Sequence, residues 1–229
     1  MLPMGSKHSP SPMRHARIRA AVPAPRGRQR APTASSDEKR ESILRVAEQL
    51  FHERGYADTT IEQIAGALGV TKPYVYYYFR NKQEIFELLS WRPTVECFTA
   101  LDLPPDDPRP AHEKVAAAIE TLIRVCVQYH PAAFFAYREP QAIGPTLRAA
   151  QLKLAHHFYD RMCTLLEEAR RDGMLDFNDT KITALAACSI AGFMYSWYRP
   201  DGRLTSDEVV HELSQLAWRV IGLRKRRRR

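Results

Sequence analysis

One short stretch of the sequence is unusually aromatic and polar for its size. It reads Thr71-Lys72-Pro73-Tyr74-Val75-Tyr76-Tyr77-Tyr78-Phe79. Hydroxyl and ammonium groups can hydrogen-bond to base edges or phosphates, and apolar surface can contact the methyl groups of thymine. The backbone N–H groups at the start of a helix can also receive a phosphate. As a helix, this stretch would therefore suit the major groove of DNA.

Three consecutive tyrosines weigh against the alternative, an ordinary helical corner around a buried aromatic cluster. Only about a third of a helix's circumference can face a core, so at least one of Tyr76, Tyr77 and Tyr78 must point outward. Val75 and Phe79, four residues apart, mark the buried side. The exposed set then comprises Lys72, Pro73, Tyr74 and Tyr77.

Two short helices joined through Gly69 are predicted to position this stretch. Thr60 is the expected N-cap of the first helix, and Thr71 that of the second, with Pro73 in its first turn. The first helix has one apolar face, formed by Ile61, Ile64, Ala65 and Leu68. Two short helices with a tight turn between them form a helix-turn-helix pattern.

Longer helices are predicted on both sides of this pair. Order is expected to begin near Asp37, and Gly55 supplies the stop of the first helix. Asn81 and Glu84 stand at capping-box spacing and open the helix that follows the pair. Pro93 would kink or end that helix, although 95–101 could continue it.

Further helices are predicted behind a proline-rich loop at 103–110. A shorter helix is expected near 131–137, and Asp179 and Thr205 are expected N-caps. The four longer stretches cover about 111–129, 144–172, 180–198 and 206–222. No strand alternation is convincing, so the chain is predicted to be all-α.

The net charge of +8 is concentrated at the two ends of the chain. Residues 1–36 carry seven basic and no acidic side chains, and 224–229 carry six basic ones, whereas 37–90 and 91–223 are slightly acidic. We expect 1–36 to be a disordered basic tail and 224–229 a second basic tail, each either solvated or in contact with DNA. An arginine-rich, acid-free start also fits a transit peptide.

Several classes of function lack support in the sequence. It contains no nucleophile elbow, metal-binding helix motif or phosphate-cradling glycine loop, so no enzyme, metal or other cofactor is expected. The four cysteines include no C-x-x-C pair, which argues against a zinc ribbon or a disulfide scaffold. The longest nearly apolar run, 184–195, is too short to span a bilayer. No secretory signal opens the chain, so a cytoplasmic location is the default expectation.

The helix-turn-helix region closely resembles the DNA-binding domain of TetR-family transcriptional regulators. The matching motifs are Ile43-Leu44-x-x-Ala47-x-x-Leu50-Phe51-x-x-x-Gly55-Tyr56, then Thr59-Thr60-Ile61-x-x-Ile64-Ala65, then Gly69-Val70 with the aromatic stretch, and Asn81-Lys82. The resemblance implies an all-helical homodimer with an N-terminal three-helix DNA-binding domain at 37–90. Behind it, the resemblance implies a helical ligand-binding and dimerisation domain at 91–223.

The resemblance also implies which residues contact DNA. Thr60 resembles the hydroxyl that caps the first helix of the motif and touches phosphate. Residues at positions that commonly meet bases are Lys72, Pro73, Tyr74 and Tyr76, and those at phosphate positions are Tyr77, Tyr78 and Lys82; Thr71 completes the predicted DNA-binding set. Tyr74 replaces the small residue often found there, so the family's base preference cannot be transferred. The acids Glu41, Glu48 and Glu53 are expected on the outer face of the first helix.

A small-molecule pocket is predicted in the C-terminal half, because aromatic residues with a few polar groups can line an apolar cavity. An aromatic core with exposed histidines is the alternative. The candidate ligand contacts are Cys126, Tyr129, His130, Phe134, Phe135, Arg138, His156, Tyr159 and Trp197. His156 and His157 point about 100° apart on a helix, which is poor for shared metal ligation.

The run 197–202 is similar to regulators of fatty-acid, steroid-ring or aromatic-acid breakdown whose effectors are acyl-CoA thioesters. On that resemblance, Arg138, Arg148 and Arg199 are candidates to meet phosphate or carboxylate. The last two long helices would pair with their two-fold mates, although their small and apolar residues also fit a monomer core. The expected function is that of a ligand-responsive repressor of a near-palindromic operator. The alternative is a constitutive DNA-organising protein without a ligand switch.

Overall fold

A computed structural model describes residues 34–223 of the chain. Between these limits it contains nine α-helices, three short 3-10 segments and no strand, so the predicted all-α class is confirmed. The predicted tails lie outside the described residues, apart from 34–36, which begin the first helix. The helices are α1 Ala34–Arg54, α2 Ile61–Ala67, α3 Lys72–Tyr78, α4 Lys82–Phe98, α5 Ala111–Gln128, α6 Phe135–Arg138, α7 Pro145–Arg171, α8 Thr180–Gly192 and α9 Ser206–Val220.

Side-chain caps set the starts of four helices, as their sequences predict. Thr60 Oγ1 accepts a hydrogen bond from Gln63 N, and the Gln63 side chain accepts from Thr60 N. Thr205 forms the same two-way capping box with Glu208. Asn81 and Asp179 accept one bond each, from Glu84 N and Ile182 N. The predicted box at α4 is only half formed, because the Glu84 carboxylate accepts from Arg80 N instead of Asn81 N. Thr71 occupies the N-cap position of α3, but its side chain accepts no backbone hydrogen bond.

The ends of two helices settle what the sequence left open or predicted differently. Pro93 lies buried inside α4, which continues to Phe98, so the helix does not end there. The predicted helix at 180–198 ends earlier, at Gly192, and a 3-10 turn, Phe193–Ser196, follows it. Spacing alone does not distinguish the tighter turn from a continuing helix because both keep residues three apart on one face.

Two hydrophobic cores hold the helices together. The N-terminal core contains apolar residues of α1, α2, α3 and the first half of α4, and the C-terminal core contains those of α5, α7, α8 and α9. The N-terminal core also receives a residue from α6, Phe135, whose ring stacks on that of Phe86 at 5.2 Å and 13°. The predicted domain boundary between residues 90 and 91 therefore falls inside α4. The N-terminal core includes residues from beyond this boundary, such as Phe135.

Within residues 34–223, no helix is long and apolar enough to cross a membrane.

Candidate DNA-binding surface and ligand cavities

One side of helix α3 presents aromatic residues to solvent, and the other side packs in the N-terminal core. Val75 and Phe79 are buried, as the sequence predicts. Tyr77 is 81% exposed and Tyr76 is 45% exposed, whereas Tyr74 is half-buried. A tyrosine this exposed on a short helix contributes little to folding, so the exposed face is available to an external partner.

The tyrosines of α3 pack on one another, and Tyr74 and Tyr78 also pack against the N-terminal core. The Tyr78 ring lies 5.3 Å from Tyr74 and 5.0 Å from Tyr77, centroid to centroid. The C-terminal end of α3 is held by Arg40 of α1, whose Nη1 donates to the Tyr78 carbonyl at 3.3 Å. The Arg40 guanidinium also lies 4.6 Å from the centroid of the Phe79 ring. Sequence reasoning missed Arg40 because it lies 38 residues from Tyr78.

The two lysines predicted to contact DNA are placed differently. Lys72 is exposed and forms an ion pair with Glu62 of α2. Lys82 Nζ donates to the carbonyls of Tyr56, Ala57 and Thr59 at 2.6, 3.3 and 2.7 Å. An ammonium has three donors, so Lys82 would have to exchange one of these bonds to reach a phosphate.

One acid predicted on the outer face of α1 lies elsewhere. Glu48 is half-buried, and its carboxylate accepts a hydrogen bond from the Ala132 backbone. Burial raises the pKa of this carboxyl above its usual value. Glu41 and Glu53 are exposed, as expected. The expectation for Glu48 was wrong because α1 is covered on that side by the segment at 131–138.

An apolar cavity of about 270 Å³ lies among α4, α5, α7 and α8. Three predicted ligand contacts, Cys126, Phe134 and Tyr159, line it. Sequence reasoning missed most of the remaining wall, since these residues come from four helices distant in sequence. The principal missed residues are Pro93, Cys97, Phe98, Leu122, Gln151, Leu152 and Cys188. Tyr137 of α6 also lines this cavity.

The groups in this apolar cavity are mainly uncharged. Burial raises the pKa of Cys188 to about 12, and it also raises the pKa of the Tyr159 hydroxyl. A hydrogen bond to Cys126 and burial together hold the pKa of Cys97 well above its usual value. Arg148 is the one arginine among the described residues that line this cavity, and it is exposed, so its charge lies towards solvent. The cavity therefore suits an apolar group with a polar end.

A second cavity, of about 340 Å³, has a different chemistry. It contains two more of the predicted ligand contacts, His130 and Arg138, and shares Phe134 with the apolar cavity. The rest of its wall comes from α1, from Pro131 behind α5 and from the segment after α8. Those residues are His52, Pro131, Tyr195, Ser196 and Arg199.

Four predicted ligand contacts lie outside both cavities. Tyr129 donates a hydrogen bond to Glu96 at 2.5 Å, and Phe135 is 2% exposed in the N-terminal core. His156 is exposed on α7, and Trp197 is 48% exposed. These four residues are close in sequence to residues that line the cavities. Their side chains point in other directions, because they lie on other faces of their helices or beyond the turn after α8.

Helices α8 and α9 divide the predicted dimer residues between two faces. Ala184, Ala187 and Ala191 of α8 pack inside the C-terminal core, as do Val209 and Ala217 of α9. The apolar residues on the outer side are Ile182, Leu185 and Phe193 near α8 and Leu216 and Val220 on α9, each more than 40% exposed. The pair therefore has an unpartnered apolar surface as well as a buried one.

Two family models match the chain across both cores. The model described as "Bacterial regulatory proteins, tetR family" matches residues 43–89, and "Tetracyclin repressor-like, C-terminal domain" matches residues 108–221. The chain therefore belongs to the TetR family of helix-turn-helix transcriptional regulators, which are DNA-binding proteins and not enzymes.

Individual relatives are similar over most of the chain. The HTH-type transcriptional activator FasR of Mycolicibacterium smegmatis is 24% identical over 196 residues, 84% of this chain and 87% of FasR. The TetR family regulator PfmR from Thermus thermophilus has a TM-score of 0.68 at 24% identity, covering 80% of this chain and 99% of PfmR. AibR, solved with isovaleryl coenzyme A and operator DNA, has a TM-score of 0.63 at 20% identity, covering 78% of this chain and 97% of AibR. The structural likenesses show a shared fold.

Proposed function

We propose that this chain is a repressor that binds a near-palindromic operator as a homodimer and is released by a small effector. The observation that carries the DNA-binding half is the exposed aromatic face of α3, with Tyr77 at 81% exposure beside the half-buried Tyr74 and Tyr78. In a dimer, two such helices would enter successive major grooves about 34–36 Å apart. Lys82 would contact DNA only by exchanging one of its carbonyl bonds. The other proposed contacts are Thr60, Thr71, Lys72, Pro73, Tyr74, Tyr76, Tyr77 and Tyr78.

Helix α4 is the proposed mechanical link between effector and DNA. Its first half packs in the N-terminal core through Ile85 and Phe86, and its second half lines the apolar cavity through Pro93 and Cys97. An effector that fits the cavity better in one position of α4 would shift the spacing of the two recognition helices. It can act only through this difference in affinity, which for allosteric pairs is typically about 1–3 kcal/mol.

The proposed effector is a small hydrophobic molecule or the acyl part of an acyl-CoA. Ligand pockets usually measure about 300–1,000 Å³, so a cavity of about 270 Å³ would enclose an acyl group but not a nucleotide. Arg148 lies at the exposed edge of the cavity and donates to the Pro140 carbonyl, and its remaining donors are the proposed contact for an anionic end of such a ligand. AibR, which has a similar fold, was solved in complex with isovaleryl coenzyme A and operator DNA, and this supports the proposal of an acyl-CoA effector.

The DNA-binding proposal is tested by selecting duplexes from a random library with the purified chain and measuring the best duplex by fluorescence anisotropy. We expect a near-palindromic site, and about tenfold weaker binding by Tyr77→Ala with unchanged unfolding free energy. Tyr77→Phe keeps the ring and removes the hydroxyl, so it separates their contributions to DNA affinity. Absence of any enriched sequence, or full affinity in Tyr77→Ala, would contradict the proposal and favour a DNA-organising protein.

The effector proposal is tested with isovaleryl coenzyme A, and with coenzyme A alone as the control ligand. Ala155→Phe places a ring in the apolar cavity, whereas Ala149→Phe places one on the exposed side of the same helix. We expect operator release in the wild type and in Ala149→Phe, and little in Ala155→Phe. Equal operator release in both variants would show that the effector does not act by binding in the apolar cavity.

A further inference from the structure

The second cavity, which the proposed effector does not occupy, concentrates basic side chains from distant parts of the chain. His52 comes from the end of α1, His130 and Arg138 from the segment around α6, and Arg199 from the turn after α8. The two imidazole rings lie 5.6 Å apart, and Arg138 Nη1 lies 3.3 Å from His52 Nδ1. None of the described residues that line this cavity is acidic.

The two arginines lack carboxylate partners in the part of the chain that the structure describes. Neither Arg138 nor Arg199 forms an ion pair there. Arg199 Nη1 donates to the carbonyl of its neighbour Tyr198 at 2.9 Å, and Arg138 donates to His52. Both guanidinium groups are exposed enough to keep further donors free. Guanidinium donors match the geometry of carboxylate and phosphate oxygens.

We propose that this cavity is a binding site for a small oxyanion, a carboxylate or a phosphate group, held between α1 and the two arginines. Phe134 and Tyr195 supply aromatic wall, so the cavity also accepts an organic body attached to the charged group. The Ser196 hydroxyl donates to the Phe193 carbonyl at 2.9 Å, which leaves the arginines as the donors for the anion. Such a ligand would contact both the N-terminal helix α1 and the C-terminal segment. The proposal does not rest on the proposed operator or on an effector in the apolar cavity, although the two cavities share Phe134.

Anion binding at this site is linked to proton uptake. A guanidinium only donates, so the 3.3 Å contact requires an unprotonated Nδ1 on His52. Burial, with His52, Arg199 and Arg138 nearby, lowers the pKa of His130 to about 4, and burial with the two arginines also lowers the pKa of His52. Two acids lie on the same end of α1. Glu53 acts in the opposite direction and raises the pKa of His52, whereas the Glu48 carboxylate accepts a hydrogen bond from the Ala132 backbone. An added negative charge favours both imidazolium forms, so affinity rises as pH falls.

The test is isothermal titration calorimetry of the full chain with benzoate, benzamide and inorganic phosphate. We expect benzoate to bind and the neutral isostere benzamide not to bind, with tighter benzoate binding at about pH 6 than at about pH 7.5. Binding of phosphate as well would identify the oxyanion alone as the determinant, whereas binding of benzoate only would show that the ring contributes. Both results support the site.

The matched variants are Arg138→Gln/Arg199→Gln and, as a control, Arg161→Gln on the exposed face of α7. The double variant should bind benzoate at least about tenfold more weakly, since charge-assisted bonds are lost, and the control should bind as wild type. His52→Gln, which removes one imidazole, should reduce the pH dependence and serves if the double variant does not fold. Equal binding of benzoate and benzamide, no binding at millimolar concentration, or full affinity in the double variant would overturn the proposal.

Discussion

Lys82 shows how one side chain can serve the fold at a position predicted to serve DNA binding. Its three carbonyl contacts tie the start of α4 to the loop between α1 and α2. Its pKa is lowered by burial, and its ammonium lies 4.2 Å from the centroid of the Tyr56 ring. The family resemblance identifies the position, but the sequence contains no local signal for bonds that span 23 to 26 residues.

We predict that Lys82→Met destabilises the protein by about 1–3 kcal/mol, because three backbone carbonyls, two of them at part-buried bonds, lose a charged donor. Urea unfolding measures this change. A residue that only contacts phosphate would leave the unfolding free energy unchanged and would reduce the salt slope of operator binding by about 1 when removed. Unchanged stability with a reduced slope would therefore contradict the structural role.

His130 carries a second residue-scale prediction, on pH dependence. Its folded-state pKa of about 4 lies below the unfolded value of 6.5, so the unfolded chain binds more protons between these values. Stability associated with neutral His130 is fully present above about pH 6.5 and is lost progressively as pH falls towards 4. Urea unfolding at several pH values should show a shallower pH dependence in His130→Phe than in the wild type. Parallel curves for the two proteins would show that His130 is not the group responsible.

The turn between α2 and α3 offers a matched pair of glycines for a prediction at the scale of elements. Gly69 has φ +68°, a left-handed conformation, whereas Gly66 lies in α2 with open space at its missing Cβ. Gly69→Ala should lower the free energy of unfolding by about 1–2 kcal/mol, because alanine is disfavoured in the left-handed conformation. Gly66→Ala should raise the free energy of unfolding by about 0.5–1 kcal/mol, because alanine lowers the entropy of the unfolded chain. Thermal unfolding of both variants is the measurement. Similar effects in the two variants would mean that the turn does not require the left-handed conformation seen at Gly69.

The elements also show what the sequence can and cannot predict. Thr60, Asn81, Asp179 and Thr205 were identifiable as caps because each bonds to the backbone three residues away. Local spacing likewise identified the buried side of α3. The same spacing could not predict that Phe135 joins the N-terminal core, since its partner Phe86 is distant in the chain. Cavity walls assembled from several helices are long-range features of this kind.

At the scale of the whole molecule, the two cores are connected and not separate. Phe135 contacts both Phe86 and Phe51, and α4 belongs to the N-terminal core at one end and to the apolar cavity at the other. A change in the cavity therefore has a packed route to the helix-turn-helix through α4 and α6. Discrete repacking along such a route is how small shifts at one site reach another.

The exposed apolar surface of α8 and α9 carries the last prediction, on assembly. Leu185 is 53% exposed and Ile182 is 67% exposed, so a charge at position 185 should not disturb the monomer's core. In a two-fold interface the same substitution places two carboxylates opposite each other. We predict that Leu185→Glu shifts the protein from dimer to monomer in sedimentation velocity and weakens operator binding by more than about tenfold, since two half-sites no longer act together. Arg161→Glu, a charge change on the exposed face of α7, should leave both unchanged. A Leu185→Glu protein that remains dimeric with full operator affinity would place the interface on another surface.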